Sequence, residues 1–269
     1  MRGPVRLRQE DFETMLVEAR DDGVAVITLN RPERHNAVTT VMHRELMELP
    51  TALAEDERVR AVVITGAGRS FCSGADVGEV DPQHDPTLFT VTMYEARRLV
   101  MDFLSLDKPV ITAVKGYALG LGCTVALLGD VVMAGRSARF GDTHVNIGAT
   151  AGDGGAVVWP LLMGMRAKYY LLTGEHVPAD EAYRLGLVHR VVEDDELLAE
   201  SLAIAARLAA GPPLAVRSTK ASINRFMIQV ANEVLPFSLA VETVTLQSED
   251  AAEAQRAFLE KRPAQFTGR

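Results

Sequence analysis

Pro109-Val110-Ile111-Thr112-Ala113-Val114-Lys115-Gly116-Tyr117-Ala118-Leu119-Gly120-Leu121-Gly122-Cys123-Thr124-Val125 runs from an apolar, β-rich stretch into a segment with three glycines in seven residues. The first six residues suit a strand buried on both faces. The glycines permit positive φ and close backbone approach, and a helix is expected to start near Gly122. Strand, glycine turn and helix form the unit of an α/β protein, and the unit recurs on either side. Residues 24–29, 61–65 and 130–134 read as strands. Met42, Leu46, Leu49 and Leu53 fall on one face of a helix, and residues 92–106 also look helical. Such alternation implies parallel strands in an α/β core.

The pattern changes in the last third. Residues 178–185 read as a short helix closed by Gly186, a natural left-handed cap. Leu197, Leu198, Ser201, Leu202, Ala205 and Leu208 describe an amphipathic helix, which Gly211-Pro212-Pro213 stops. Further helix follows, with a kink expected at Pro236. The chain therefore divides into an α/β body, 1–193, and a helical C-terminal region, 194–269. No low-complexity linker separates them, so they are expected to pack together.

Composition narrows the function. Of 269 residues, 48% are apolar and 24% charged, the balance of a soluble globular protein. The formal net charge of −8 argues against nucleic acid, whose phosphates need a concentrated basic surface. The longest uncharged stretch, 116–129, is too short and glycine-rich to span a bilayer. The N-terminal MRGPVRLRQEDFE has positive charge without an apolar segment behind it, so no secretory signal is expected. Two cysteines, Cys72 and Cys123, suggest neither a disulfide framework nor a CxxC metal site. Six histidines show no HExxH or comparable ligand pair. The expectation is a cytoplasmic, reduced, metal-free protein.

Three glycine segments, 66–76, 116–125 and 148–155, each lie where a strand hands over to a turn or helix. None contains a Walker A loop or a GxGxxG fingerprint, and no GxSxG nucleophile elbow occurs. Tight turns alone would explain any one of them. Side by side, two could aim backbone N–H groups at one developing oxyanion.

Taken in order, Ser70-Phe71-Cys72-Ser73-Gly74-Ala75-Asp76, Lys108 to Gly120, Ala138-Arg139-Phe140-Gly141, Leu171-Leu172-Thr173-Gly174, Gly186-Leu187-Val188 and Phe258-Leu259-Glu260-Lys261-Arg262-Pro263 resemble the crotonase (enoyl-CoA hydratase/isomerase) superfamily. The resemblance extends from about residue 13 to the end. It implies a spiral of ββα units with a C-terminal helical trimerisation region, assembled as a homotrimer or a dimer of trimers. It also implies an acyl-CoA thioester as substrate, with no permanently bound cofactor, and shared chemistry that stabilises a thioester enolate. The oxyanion donors implied are the backbone N–H groups of Ala75 and Leu121. For coenzyme A it points to Arg34, His35 and Ala37, to Ser73 and Asp76, and to Phe258 and Lys261. For Arg34 and Lys261, the alternative is an ordinary solvated charge.

The departures bear on the reaction. Family hydratases carry one glutamate where this chain has Thr124 and a second where it has His144. Hydration of a conjugated double bond needs a positioned acid and base, so straightforward hydration is in doubt. His144, with an unperturbed pKa of about 6.5, could transfer protons or be a structural histidine. Asp153 could reach the acyl carbons or cap the helix beginning at Gly154. Asp142 is a weaker candidate for proton transfer and reads rather as a turn residue. Thr124 can hold a water but cannot act as a carboxylate base. Two classes of function follow. One is an enolate-forming acyl-CoA enzyme: a hydratase or isomerase, or else a decarboxylase, dehalogenase or thioester hydrolase of the same fold. The other is a CoA-ester-binding protein with little activity.

Overall fold

The computed structural model describes residues 7–76 and 86–269; residues 1–6, read above for a leader, lie outside it. Strand β1 (Met15–Ala19) pairs antiparallel with β2 (Val24–Leu29), and helix α1 (Thr40–Glu55) leads to β3 (Ala61–Gly66). After α2 (Pro86–Ser105) come β4 (Val110–Val114), β5 (Tyr117–Leu119) and α3 (Leu121–Leu127). Then follow β6 (Val131–Gly135), β7 (Arg139–Gly141), a 3-10 turn at His144–Ile147 and α4 (Gly155–Met163). Helix α5 (Ala167–Thr173), β8 (Val177–Pro178), α6 (Ala179–Leu185) and β9 (Arg190–Val192) complete the body. Beyond it lie α7 (Leu197–Ala210), α8 (Pro213–Leu246) and α9 (Glu249–Glu260).

The large sheet has the order β1-β2-β3-β4-β6-β9 and is parallel from β2 onward. A smaller sheet, β5-β7-β8, stands beside it. Each long strand at the centre thus continues into a short strand of the second sheet and then a helix: β4, β5, α3, and again β6, β7, α4. Isolated bridges from Cys72 to Ala118 and from Ala75 to Val38 place the Cys72–Ala75 segment after β3 in the same layer. The result is the ββα spiral that the resemblance implies.

The strands are apolar throughout because both faces are covered. Ala25, Ile27, Leu29, Val62 and Ile64 enter the main core with α1 and α2. Val24, Val26, Ala61, Val63, Ile111 and Met133 form a second core with Leu197, Ala205 and Ala209 of α7. Burying a leucine such as Leu197 is worth roughly 1.5–3 kcal/mol, so α7 is held against the sheet by the same force that holds the body together. The face read from Met42, Leu46, Leu49 and Leu53 is fully buried. The Thr39 hydroxyl caps α1, accepting from Met42 N–H at 3.2 Å. Gly186 closes α6 with φ of 86°. Helix α8 runs through Pro236 as one helical element. Among the described residues, no single helix is long and apolar enough to cross a membrane.

Candidate active site

Two strand ends meet where the glycine segments were noted. Cys72 N–H donates to Tyr117 O at 2.8 Å and Leu119 N–H to Cys72 O at 2.9 Å, which brings the following turns together. A Cβ on Gly74 would stand 3.0 Å from Leu119 O, and one on Gly120 would stand 3.8 Å from Gly74 Cα. Both glycines have positive φ, 86° and 50°, a conformation costly for other residues. Each immediately precedes a proposed donor.

The bridge between Val38 and Ala75 uses the groups flanking Ala75: Val38 N–H donates to Gly74 O, and Asp76 N–H to Val38 O. In such parallel pairing, Ala75's own N–H faces away from Val38. Leu121 opens α3, where the first N–H has no carbonyl one turn back to donate to; Cys123 and Thr124 N–H already donate to Gly120 O. Among the described residues, neither N–H donates to a protein acceptor. The leucine between two glycines therefore matters here for its main chain, while its side chain is buried.

A buried polar cluster adjoins these turns. His144 opens the 3-10 turn after β7, and its Cε1 lies 3.8 Å from the Cβ position of Gly120. Its Nδ1 is 2.7 Å from Asp142 Oδ1. Its Nε2 is 3.5 Å from Asp153 Oδ2 and 3.6 Å from Glu242 Oε1. Thr124, on α3, packs against Gly154 beside Asp153, where a Cβ on Gly154 would overlap the threonine methyl. Among the described residues, five buried side-chain atoms lack a hydrogen-bond partner: Thr124 Oγ1, Asp142 Oδ2, Asp153 Oδ1, Glu242 Oε2 and Trp159 Nε1. Four of the five belong to this one region. Orphaned buried polar atoms are costly, so their concentration marks a place where polarity is retained for a purpose other than stability.

Two sequence expectations change. Asp142, read chiefly as a turn residue, is 1% exposed and pairs with His144. Asp153 is not the cap of α4, because the cap position is Gly154 and no side chain caps that helix. Gly155 carries no side chain because a Cβ would collide with the Asp142 carboxylate. Glu242 was missed. It lies on α8 in register with the buried positions Ala231, Leu235 and Leu239, and a glutamate on an apolar stripe was the available signal.

Charge follows from this packing. Burial disfavours a charged His144, but the Asp142 and Asp153 carboxylates outweigh it and hold the imidazolium proton to well above its ordinary pKa. Burial, reinforced by the negative charge of Asp153, pushes the Glu242 carboxyl up to about 8. Both shifts favour the protonated forms of His144 and Glu242. Burial pushes the Cys72 thiol up to about 12 and that of Cys123 well above its ordinary value; both act as small packing groups.

Two of the segments that the resemblance assigns to coenzyme A come together. Ser73 N–H donates to His35 O at 3.0 Å, joining Arg34, His35 and Ala37 to Ser73 and Asp76. The contact is locked by Asn36, a residue the sequence reading passed over. Fully buried, it donates to Ala67 O, Ser70 O and Phe71 O and accepts from Arg31 N–H. His35 Nδ1 lies 2.9 Å from Ser70 Oγ, and Arg31 pairs with Asp76 at 3.1 Å. Phe258 and Lys261 lie elsewhere, exposed at the end of α9. Among the described residues, neither shares a hydrogen bond or ion pair with the 34–37 or 73–76 segments.

A family model described as enoyl-CoA hydratase/isomerase matches residues 19–269. A probable enoyl-CoA hydratase of Mycobacterium bovis is 36% identical over 259 residues, covering 96% of this chain and 99% of that protein. Among solved structures, an enoyl-CoA hydratase/isomerase from Mycobacterium paratuberculosis superposes with a TM-score of 0.88 at 36% identity, over 91% of this chain and 99% of that one. A β-diketone hydrolase from the cyanobacterium Anabaena, bound to (S)-3-oxocyclohexyl acetic acid, superposes with a TM-score of 0.81 at 27% identity, over 88% and 96%.

Proposed function

We propose, on the premise that the chain belongs to the enoyl-CoA hydratase/isomerase family, that it binds an acyl-CoA thioester and stabilises its enolate, with His144 and Asp153 handling the protons. The observation that carries this reading is the juxtaposition of the Ala75 and Leu121 N–H groups, both without a protein acceptor, with the edge of His144 at the same turn. A thioester oxygen held by two fixed main-chain donors gains most as negative charge develops on it, because the donors need no reorganisation. The chemistry then lies at the carbons next to the thioester. His144, held as the imidazolium, serves as the acid, and the Asp153 carboxylate as the base. Thr124 can position a water but adds no acid or base. Coenzyme A is the departing or retained carrier, taken up as part of the substrate by Arg34, His35, Ala37, Ser73 and Asp76. A homotrimer or dimer of trimers, with Phe258 and Lys261 directed to coenzyme A, completes the reading; light scattering tests the assembly.

A hydrolytic reading is favoured by one specific observation. His144 stands between the carboxyl groups of Asp142 and Asp153, an arrangement suited to directing water at a carbonyl carbon, and by the resemblance Thr124 and His144 stand where family hydratases carry glutamates. The similarity to a β-diketone hydrolase supports the same reading. Two measurements separate the alternatives. Ultraviolet loss of the conjugated enoyl thioester across a chain-length series detects hydration, and release of a new carboxylic acid from a β-dicarbonyl compound detects hydrolysis. Incorporation of solvent deuterium at the α carbon of butyryl-CoA reports the enolate in either case. No exchange, with CoA esters still raising the melting temperature, would leave a binding protein with little activity.

A further inference from the structure

We propose that Glu242, carried to the site by α8, is a positioning and proton-storing residue that acts through His144. The inference rests on the enolate reading above and adds to it a group from the C-terminal helical region. Three residues of one α8 face, Ser238, Glu242 and Thr245, meet the loop that carries Asp153. Ser238 Oγ donates to Gly152 O at 2.8 Å, across 86 residues of sequence. Thr150 N–H donates to Thr245 Oγ1 at 3.0 Å. These two bonds flank Glu242 by one helical turn on each side and fix its reach. Gly152 has no side chain at this contact, where a Cβ would lie 2.5 Å from both Glu242 Oε2 and Ser238 O. Helix, clamp and glycine together deliver one carboxyl group to within 3.6 Å of His144 Nε2.

Packing alone does not explain the residue. A buried glutamate without a full set of hydrogen bonds is destabilising compared with an apolar residue, and Glu242 Oε2 has no partner among the described residues. The ionisable groups that act on it are Asp153 from the loop before α4, and His144 and Asp142 from the turn after β7. Two of these are carboxyl groups whose charge favours the added carboxyl keeping its proton, and the imidazole nitrogen 3.6 Å away can take that proton once it has given up its own. During turnover the His144 Nε2–H bond breaks as a C–H bond forms at the α carbon, and the enolate electron pair becomes that bond while the thioester carbonyl reforms. The Glu242 O–H proton then moves to Nε2 and leaves a carboxylate. The proton removed from the substrate, or from the water that adds to it, returns through Asp153 and His144 to Glu242, so the cycle closes without a co-reactant.

The test uses Glu242→Gln in the full-length protein, with deuterium exchange into butyryl-CoA in D2O and calorimetric binding of the same thioester. The expected result is a fall in exchange rate of about 10- to 100-fold, within what proton-transfer groups contribute. Binding should stay within about twofold. The pH profile of kcat/KM should also change: in the wild type it falls as Glu242 loses its proton at about 8, and that limb should vanish in the variant. Glu242→Asp, which keeps a proton on a shorter arm, should recover part of the rate. An unchanged rate and an unchanged limb in Glu242→Gln, with His144→Ala impaired, would overturn this role while leaving the enolate reading in place. Absence of exchange in the wild type would overturn both. A variant that loses rate but keeps the limb, and is not rescued by Asp, would reduce Glu242 to a structural prop and refute the proposal.

Discussion

The two halves of the site solve different problems. The turns at Gly74-Ala75 and Gly120-Leu121 present backbone N–H groups, so what matters is φ at the glycine and not the side chain that follows. The cluster of Asp142, His144, Asp153 and Glu242 presents side chains, drawn from the turn after β7, the loop before α4 and helix α8. Main-chain donors suit any enolate, and side-chain acids and bases decide what becomes of it.

The sharpest way to break the first half is Leu121→Pro. Proline is well accepted at the first position of a helix, so α3 should form, but the N–H is removed. Loss of one such donor costs about 10²–10³ in kcat; Leu121→Ala, which keeps the donor, should lose far less. Equal kinetics for the two variants would show that Leu121 N–H is not a donor. In the second half, His144→Ala and Asp153→Asn should each lower turnover by about 10²-fold with thioester affinity nearly unchanged. Normal kinetics in both would remove the acid and base assignments.

Stability should tell the halves apart with pH. Glu242 keeps its proton in the folded chain up to about 8, against an ordinary 4.5, and His144 keeps its own above the usual range. Between these limits the folded chain binds more protons than the unfolded one. Stability therefore falls as pH rises from about 4.5 through 8, and further as His144 titrates. Denaturation of the wild type should show this decline, on the order of a few kcal/mol at about 1.4 kcal/mol per pKa unit, and Glu242→Gln should flatten its lower part. A decline identical in both proteins would contradict the buried neutral acid. The smallest effect concerns Thr124→Val. Its Oγ1 lacks a protein partner, so stability should change by less than about 1 kcal/mol. A large fall in turnover would then identify the hydroxyl as a water holder.

Much of the fold was legible because its signals are local. The strand at 24–29 coincides with β2, and the strands at 61–65 and 130–134 are recovered within a residue or two. The helical face of Met42, Leu46, Leu49 and Leu53 is the buried face of α1. The short strands β5, β7 and β8 were missed: two or three residues carry no periodicity, and pairing across the second sheet defines them. In the site, Gly74 and Gly120 could be read because positive φ leaves a glycine in the sequence. Asp142 was read chiefly as a turn residue because Phe-Gly-Asp-Thr has the composition of a turn, and its close packing against Gly155 is a tertiary contact.

The sequence by itself determined the α/β order and the two glycine turns, since each depends on neighbours a few residues apart. Only the tertiary structure decided that Asp142, Asp153 and Glu242 converge on His144. A proton's affinity for a buried group is set by the charges and solvent around it in space, and α8 brings Glu242 into that space from the far end of the chain.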